Sequence, residues 1–521
     1  MGEENTLIYQ QLLIGETLKA AAHSVPNQTA FVYENGQLTY AQLLDRAGKV
    51  SGWLHEQGIQ KDDKIGCIFK NGMAFVELYF GVTVNGAVFV PINFRLTASE
   101  MQYILNNADV KILFIEEEYI EIAREIVPLL PKIEKVIVVD APNDIELDSN
   151  WLLYENIFNA EPYFRETDFT DDDDHMIIYT SGTTGKPKGA VLSHKNCYMN
   201  SLNSLYHSPP KRGSTALLVT PLFHISGLCF LSQNCITEGT IYIHRDFNPV
   251  NILQTIEAQK INSIVLVPTM WNFLFQVPNI EDYDVSSIVK CGVGGAICPL
   301  ELKKKILQVF KNGGIHEAFG QTEMSPSTTY LIGEDALHKT ASVGKPSINV
   351  RVRIVDENMN DVPQGEVGEI IYRGPTMMKR YYNNPQATEE AFKGGWFHSG
   401  DLVRMDEEGY IYVVDRKKDM IISGGENIYP KELEEVLYTH PDILEAAVIG
   451  VPDPNWGENV KAFIVMKPGK QLTEQEVIGY CQQHISSYKK PRIVEFIDIL
   501  PRNASGKILK TVLRNVETPT S

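Results

Sequence analysis

Short apolar runs alternate with stretches of helical period along most of this chain. Lys64–Phe69, Lys111–Ile115, Lys135–Val139, Met176–Thr180, Ala216–Thr220 and Ser263–Val267 are apolar at most positions instead of alternating with polar residues. Continuous runs of that length predict strands buried on both faces, the condition of a largely parallel α/β sheet. One intervening helix carries its own start signal. Thr97-Ala98-Ser99-Glu100 is a capping box ahead of the apolar positions Met101, Ile104 and Leu105. The most apolar long segment, Ala74–Phe94, is interrupted by Glu77, Asn85, Gly86 and Pro91. It predicts a helix followed by a buried strand, not a bilayer span.

The rhythm changes at the charged stretch Asp415-Arg416-Lys417-Lys418-Asp419. A helix is expected from Pro430 through Val436, strands at Ala446–Gly450 and Lys461–Met466, a helix opened by the capping box Thr473–Glu476, and a strand at Val494–Ile497. The expected organisation is therefore a large α/β domain with parallel-rich sheets and several subdomains over residues 1–415. A small α+β domain follows over 416–521. No repeat or low-complexity tract is visible.

Composition narrows the function. The chain has 521 residues, 43% hydrophobic and 22% charged, which suits several packed cores. Its formal net charge of -19 disfavours a nucleic-acid partner, which would need clustered cations to displace phosphate counterions. The seven cysteines are odd in number and include no CxxC pair, so neither a disulfide framework nor a zinc site is expected. A reducing, cytoplasmic setting is. Residues Met1–Gln10 show no secretory signal, and the match of Gly2 and Thr6 to a myristoylation pattern is set against the acidic Glu3 and Glu4. No integral membrane association is expected.

The densest chemical signal is Tyr179-Thr180-Ser181-Gly182-Thr183-Thr184-Gly185-Lys186-Pro187-Lys188-Gly189, directly after an apolar strand. Three glycines permit close backbone approach, four hydroxyls donate, and two lysines supply cations, which together suit a polyphosphate. It is not a Walker A loop, because Pro187 stands where that pattern requires its second glycine. Taken with Pro221-Leu222-Phe223-His224, Gly294-Gly295-Ala296, Phe319-Gly320-Gln321-Thr322-Glu323, Ser399-Gly400-Asp401, Asp415–Asp419, Ser423-Gly424-Gly425-Glu426-Asn427 and Asn503-Ala504-Ser505-Gly506-Lys507, the segment resembles the adenylate-forming superfamily. That superfamily holds acyl-CoA synthetases, peptide-synthetase adenylation domains and firefly luciferase. The resemblance covers nearly the whole chain.

What the resemblance implies is an ATP-dependent ligase that forms an acyl-adenylate and then an acyl-CoA, with Mg²⁺ as cofactor and ATP and CoA as co-substrates. By the same resemblance, Thr180, Ser181, Gly182, Thr183, Thr184, Gly185 and Lys188 hold the phosphates. Lys507 bridges the acid and the α-phosphate, Thr322 donates to that phosphate, and Glu323 takes the metal. Phe319 and Gly320 with Gly295 and Ala296 enclose adenine, while Asp401 and Arg416 hold the ribose. Lys418 is the hinge of a mobile C-terminal domain, and Gly424, Gly425 and Glu426 line the CoA tunnel. These types suit the chemistry, since two anions react only where cations already neutralise their repulsion.

The acid pocket is expected around His224, Trp271 and Gly294, with apolar neighbours that suit a fatty acid of medium or long chain first. An aryl acid of benzoate, cinnamate or succinylbenzoate type comes second. No counter-charge for a second ionised group is evident near His224. A stand-alone domain loading a carrier protein, a luciferase-like oxygenase and a non-catalytic ATP-binding module are the other readings. The last is disfavoured because Lys507 and Glu323 are both present.

Overall fold

The computed structural model describes residues 11–34, 36–142, 145–166, 168–180, 186–295, 298–423, 426–502 and 508–515. The chain divides into two compact units, residues 1–352 with 372–397, and residues 353–371 with 398–521.

Among the described residues the first unit holds a nine-stranded and an eight-stranded sheet. The parallel part of one runs, in spatial order, through Gly314–Gly320, Lys290–Val293, Ser263–Leu266, Thr215–Leu218, Thr240–Ile243 and Thr29–Tyr33. That of the other runs through Asp174–Thr180, Val88–Ile92, Lys64–Ile68, Val110–Glu116, Lys135–Val139 and Trp151–Leu153. Every continuous apolar run noted above is thus a strand; antiparallel strands close both edges of the first sheet and one edge of the second. The parallel-rich α/β architecture read from the sequence is the observed one.

Local signals act as expected. Thr97 accepts from the Glu100 amide while the Glu100 side chain accepts from the Thr97 amide, so the capping box starts the helix Ala98–Asn107. Its apolar face then buries Met101, Ile104 and Leu105 against Val88, Val110 and Val136, each contributing about 1.5–3 kcal/mol. Ala74–Phe94 resolves into the helix Met73–Asn85 and the strand Val88–Ile92, both buried almost throughout. Among the described residues no helix is long and apolar enough to cross a membrane. All seven cysteines are free and buried.

One polar feature of the first unit has a pH consequence. His175 and His194 lie against each other in the core, ring centroids 4.4 Å apart and tilted by 33°, beside Tyr79 and Phe169. His194 Nδ1 accepts from the Ile14 amide at 3.3 Å, which requires a neutral ring. Burial depresses both histidines, His194 to about 3 against a small opposing pull from Asp173, and His175 further under the added charge of His194. An unfolded chain binds these protons below about pH 6.5, whereas the folded one refuses them. Stability should therefore be complete above pH 6.5 and fall as the pH drops toward 3, by up to about 1.4 kcal/mol per pH unit for each ring. Melting temperatures between pH 7.5 and 4.5 check this. His194→Asn should flatten the decline, and an unchanged slope would exclude the pair as its source.

The second unit carries most of a four-stranded sheet, Arg351–Val355, Gly368–Arg373, Phe397–Met405 and Ile411–Arg416, the last two antiparallel. It also carries a five-stranded sheet of Ile421–Ser423, Glu426–Ile428, Ile443–Asp453, Gly457–Met466 and Ile493–Phe496. The helix Pro430–Tyr438 covers one face with Leu433 and Leu437 packed on Ile443, Ala446 and Ile464. The boundary expected after Asp415 lies inside this second unit, at the end of the strand Ile411–Arg416.

Candidate active site

In the first unit, Thr180 and Lys188 face each other at the end of an antiparallel pair, Asp174–Thr180 with Lys188–Ser193. Ser181, Gly182, Thr183, Thr184 and Gly185, the residues between them that are expected to hold phosphates, lie outside the described residues, as do Ala296, Gly424, Gly425 and Lys507. Lys188 Nζ stands 5.3 Å from the ring centroid of Tyr381, whose hydroxyl donates to Glu323 Oε1 at 2.8 Å. Glu323 itself is buried in the short turn Thr322–Met324, and its carbonyl accepts from the Met378 amide at 2.7 Å. Lys188, Tyr381 and Glu323 therefore form one cluster, with Thr322 half-buried at its side. Tyr381 was not among the expected residues. It lies 58 positions from Glu323, and an aromatic after an arginine has no spacing signal that would connect them.

Phe319 and Gly320 end the strand Gly314–Gly320, and Phe319 is held by Thr328, whose hydroxyl donates to its carbonyl at 3.0 Å. Only glycine fits at position 320. A Cβ there would stand 2.0 Å from the Pro326 carbonyl oxygen. Gly294 and Gly295 leave the adjacent parallel strand Lys290–Val293, so both glycine segments sit at the carboxyl ends of neighbouring strands, where open α/β sheets bind ligands.

His224 precedes the helix Ile225–Thr237. Its ring lies 4.3 Å from that of Phe223, which meets Phe94 edge-on at 5.4 Å. Burial pushes His224 down to about 4, and the neighbouring Arg95 charge adds to this. Among the described residues nothing hydrogen-bonds its buried Nε2. Two expectations are corrected here. Arg95 is a charge close enough to be felt at His224, contrary to the reading that none is present. Trp271 is 0% exposed, packed on Phe310 and Phe275, with its indole N–H donating to the Gly292 carbonyl at 3.2 Å. It is a core residue and presents no surface to an acid.

In the second unit, Asp401 and Arg416 are partners in register across two antiparallel strands. Arg416 Nε stands 2.8 Å from Asp401 Oδ1, and its Nη1 donates to the Ser399 carbonyl at 3.2 Å. Asp401 is 3% exposed, so its charge is buried against its partner. The buried Asp415 accepts from the Arg416 amide at 2.7 Å and from the Lys431 amide at 2.9 Å. Burial raises the Asp415 carboxyl above the usual range. Lys418 is exposed at the turn that follows, where burial of its stem and the Arg416, Arg514 and Lys510 charges lower its ammonium. Glu426 is exposed on the strand Glu426–Ile428.

Residues 18–382 match the family described as AMP-binding enzyme, and residues 432–507 match AMP-binding enzyme C-terminal domain. A feruloyl-CoA synthase of Amycolatopsis sp is 35% identical over 95% of this chain and 96% of its own length. A long-chain-fatty-acid–CoA ligase of Mycobacterium tuberculosis is 34% identical over 96% and 98%. Among solved structures, the o-succinylbenzoate CoA synthetase of Bacillus subtilis with its acyl-adenylate superposes with a TM-score of 0.84 at 29% identity, covering 97% of this chain and 98% of that one. The same enzyme is also solved with ATP and magnesium ion. The match of both family models and the similarity to CoA ligases over nearly the whole length identify this chain as a member of the adenylate-forming superfamily, an AMP-forming acid–CoA ligase.

Proposed function

We propose that the acid is apolar along its body, a medium- or long-chain fatty acid first, and that the ligase works through two half-reactions divided among the residues named below. The observation that carries the division is the cluster of Glu323 and Lys188 around Tyr381, two opposite charges fixed before any substrate arrives. In the first half-reaction a carboxylate oxygen attacks the α-phosphorus of ATP, the bond to the β-phosphate oxygen breaks, and pyrophosphate leaves. Lys507 bridges the two reacting anions, Thr322 donates to the α-phosphate, and Ser181, Thr183, Thr184 and Lys188 hold the departing pyrophosphate. Phe319 stacks on adenine against Gly295 and Ala296, and Asp401 with Arg416 takes the ribose hydroxyls.

Glu323 fits one site for Mg²⁺, an ion that takes few protein carboxylates and completes its shell with phosphate and water. Among the described residues no group of three or more His, Cys, Asp and Glu gathers as an all-protein cage. Bound there, the ion would supply charge for the phosphate oxygens.

In the second half-reaction the CoA sulfur attacks the acyl carbon, the acyl–phosphate oxygen bond breaks, AMP leaves and the thiol proton passes to solvent. Lys507 must clear the site for this. Rotation at Lys418 of the domain 416–521 against 1–415 would exchange it for Gly424, Gly425 and Glu426 along the pantetheine. A cytoplasmic setting belongs to the same reading, supported by seven buried free thiols.

An aryl acid is the second choice, favoured by the Phe94, Phe223 and His224 ring cluster and by the likeness to a feruloyl-CoA synthase. A series of straight-chain acids separates the two. Each well-buried methylene contributes about 0.8 kcal/mol, so kcat/KM should rise close to fourfold per carbon and then level. A flat profile with one sharp aromatic optimum would promote the aryl reading. An amino acid, whose ammonium would approach Arg95, should be poor in either case.

A further inference from the structure

Glu369 lies on the strand Gly368–Arg373, outside every motif that drew attention in the sequence, yet it is buried and collects three donors. Its Oε1 accepts from the Gly400 amide at 3.0 Å. Its Oε2 accepts from Lys417 Nζ at 3.1 Å and lies 3.2 Å from His398 Nδ1. Gly400 immediately precedes Asp401, and Lys417 immediately follows Arg416. A single carboxylate therefore grips both strands that present the Asp401–Arg416 pair. The grip is closed by the backbone, since the Lys417 amide donates to the Gly400 carbonyl at 2.9 Å.

Gly400 has φ 70°, in the left-handed region that few side chains tolerate. This local turn within the strand Phe397–Met405 gives its N–H to the Glu369 carboxylate, which satisfies it. The neighbouring Asp401 amide is taken by Ser399 Oγ at 2.9 Å, and Ser399 Oγ in turn donates to the Ile370 carbonyl at 2.5 Å. Two adjacent residues of one strand, Glu369 and Ile370, thus fix both amides of the turn that carries Asp401. We propose that Glu369 is a positioning residue for nucleotide binding: through Gly400 and Lys417 it sets the distance and angle at which Asp401 and Arg416 meet the sugar hydroxyls of ATP. This rests on the ribose role proposed above for Asp401. Charge-assisted hydrogen bonds lose strength steeply with misalignment, so releasing the turn would weaken sugar recognition without touching the acid.

The test compares ATP with 2′-deoxyATP and 3′-deoxyATP in steady-state kinetics of the full-length enzyme. Wild type should prefer ATP by about tenfold or more, the scale of one hydrogen bond to a charged group. Asp401→Asn should lose most of that preference. Glu369→Ala should lose it too, with KM for ATP raised about tenfold and KM for the acid unchanged. Glu369→Gln keeps an acceptor for the Gly400 amide and should recover part of it.

A purely structural role would move both substrates' KM values alike and leave the sugar preference intact. If Asp401→Asn loses the preference while Glu369→Ala keeps it, the positioning inference is wrong and the ribose reading stands. If Asp401→Asn keeps it, the ribose reading fails and this inference falls with it. Should Glu369→Ala not fold, Lys417→Met decides, because that side chain is 45% exposed and its loss leaves the core intact. A partial loss of sugar preference in Lys417→Met supports the proposal, and none overturns it.

Discussion

Lys507→Ala is expected to lower acid-dependent pyrophosphate release about 10²-fold or more, the scale of one removed electrostatic stabiliser. The same protein should still convert a supplied acyl-adenylate and CoA to acyl-CoA at close to the wild-type rate. The asymmetry follows from charge. Adenylation brings a carboxylate against a triphosphate, and a cation between them is stronger in the transition state than in the separated reactants. Thioester formation expels AMP from an acyl carbon that carries no such repulsion, and it needs the same space cleared for a thiol. Single-turnover measurement of each half-reaction settles the matter. Equal losses in both would show that Lys507 serves the fold or both steps, and the division of labour would have to be abandoned.

Glu323→Gln is the second large effect. The carboxylate is 8% exposed and accepts from the Tyr381 hydroxyl at 2.8 Å, so an amide of the same shape can keep that hydrogen bond through its carbonyl. What it cannot keep is the charge. If Glu323 contributes to holding Mg²⁺ beside the phosphates, the variant should show a much higher magnesium requirement and about a 10²-fold lower adenylation rate at ordinary magnesium, with partial recovery as magnesium is raised. Tyr381→Phe should show a smaller change of the same kind, because it removes only the hydroxyl that orients the carboxylate. Loss of adenylation in Glu323→Gln without any magnesium dependence would remove the metal from its role and leave a structural one.

The sequence made the architecture legible where local physics decides it. Short continuous apolar runs became parallel strands because a strand buried on both faces accepts them and they are too short for a buried helix, and Thr97–Glu100 started a helix because the box satisfies its own amides. Strand pairing across the chain was not legible. Nothing near Tyr381 in sequence announces Glu323, and nothing near Glu369 announces Gly400, since both contacts arise from register between segments far apart. Trp271 shows the opposite failure. An aromatic beside apolar neighbours reads alike whether it faces a ligand or the core, and only the observed indole bond to the Gly292 carbonyl decides. Arg95 was overlooked for a similar reason, being over a hundred residues from His224 along the chain and adjacent only in space.

The central claim is that acid activation precedes and does not require CoA. Isotope exchange between pyrophosphate and ATP, with acid present and CoA absent, tests it most directly. Reversible adenylate formation predicts exchange that depends on the acid and, once CoA is added, AMP and acyl-CoA produced one for one. Exchange that appears only with CoA present, or ADP and phosphate in place of AMP and pyrophosphate, would contradict it.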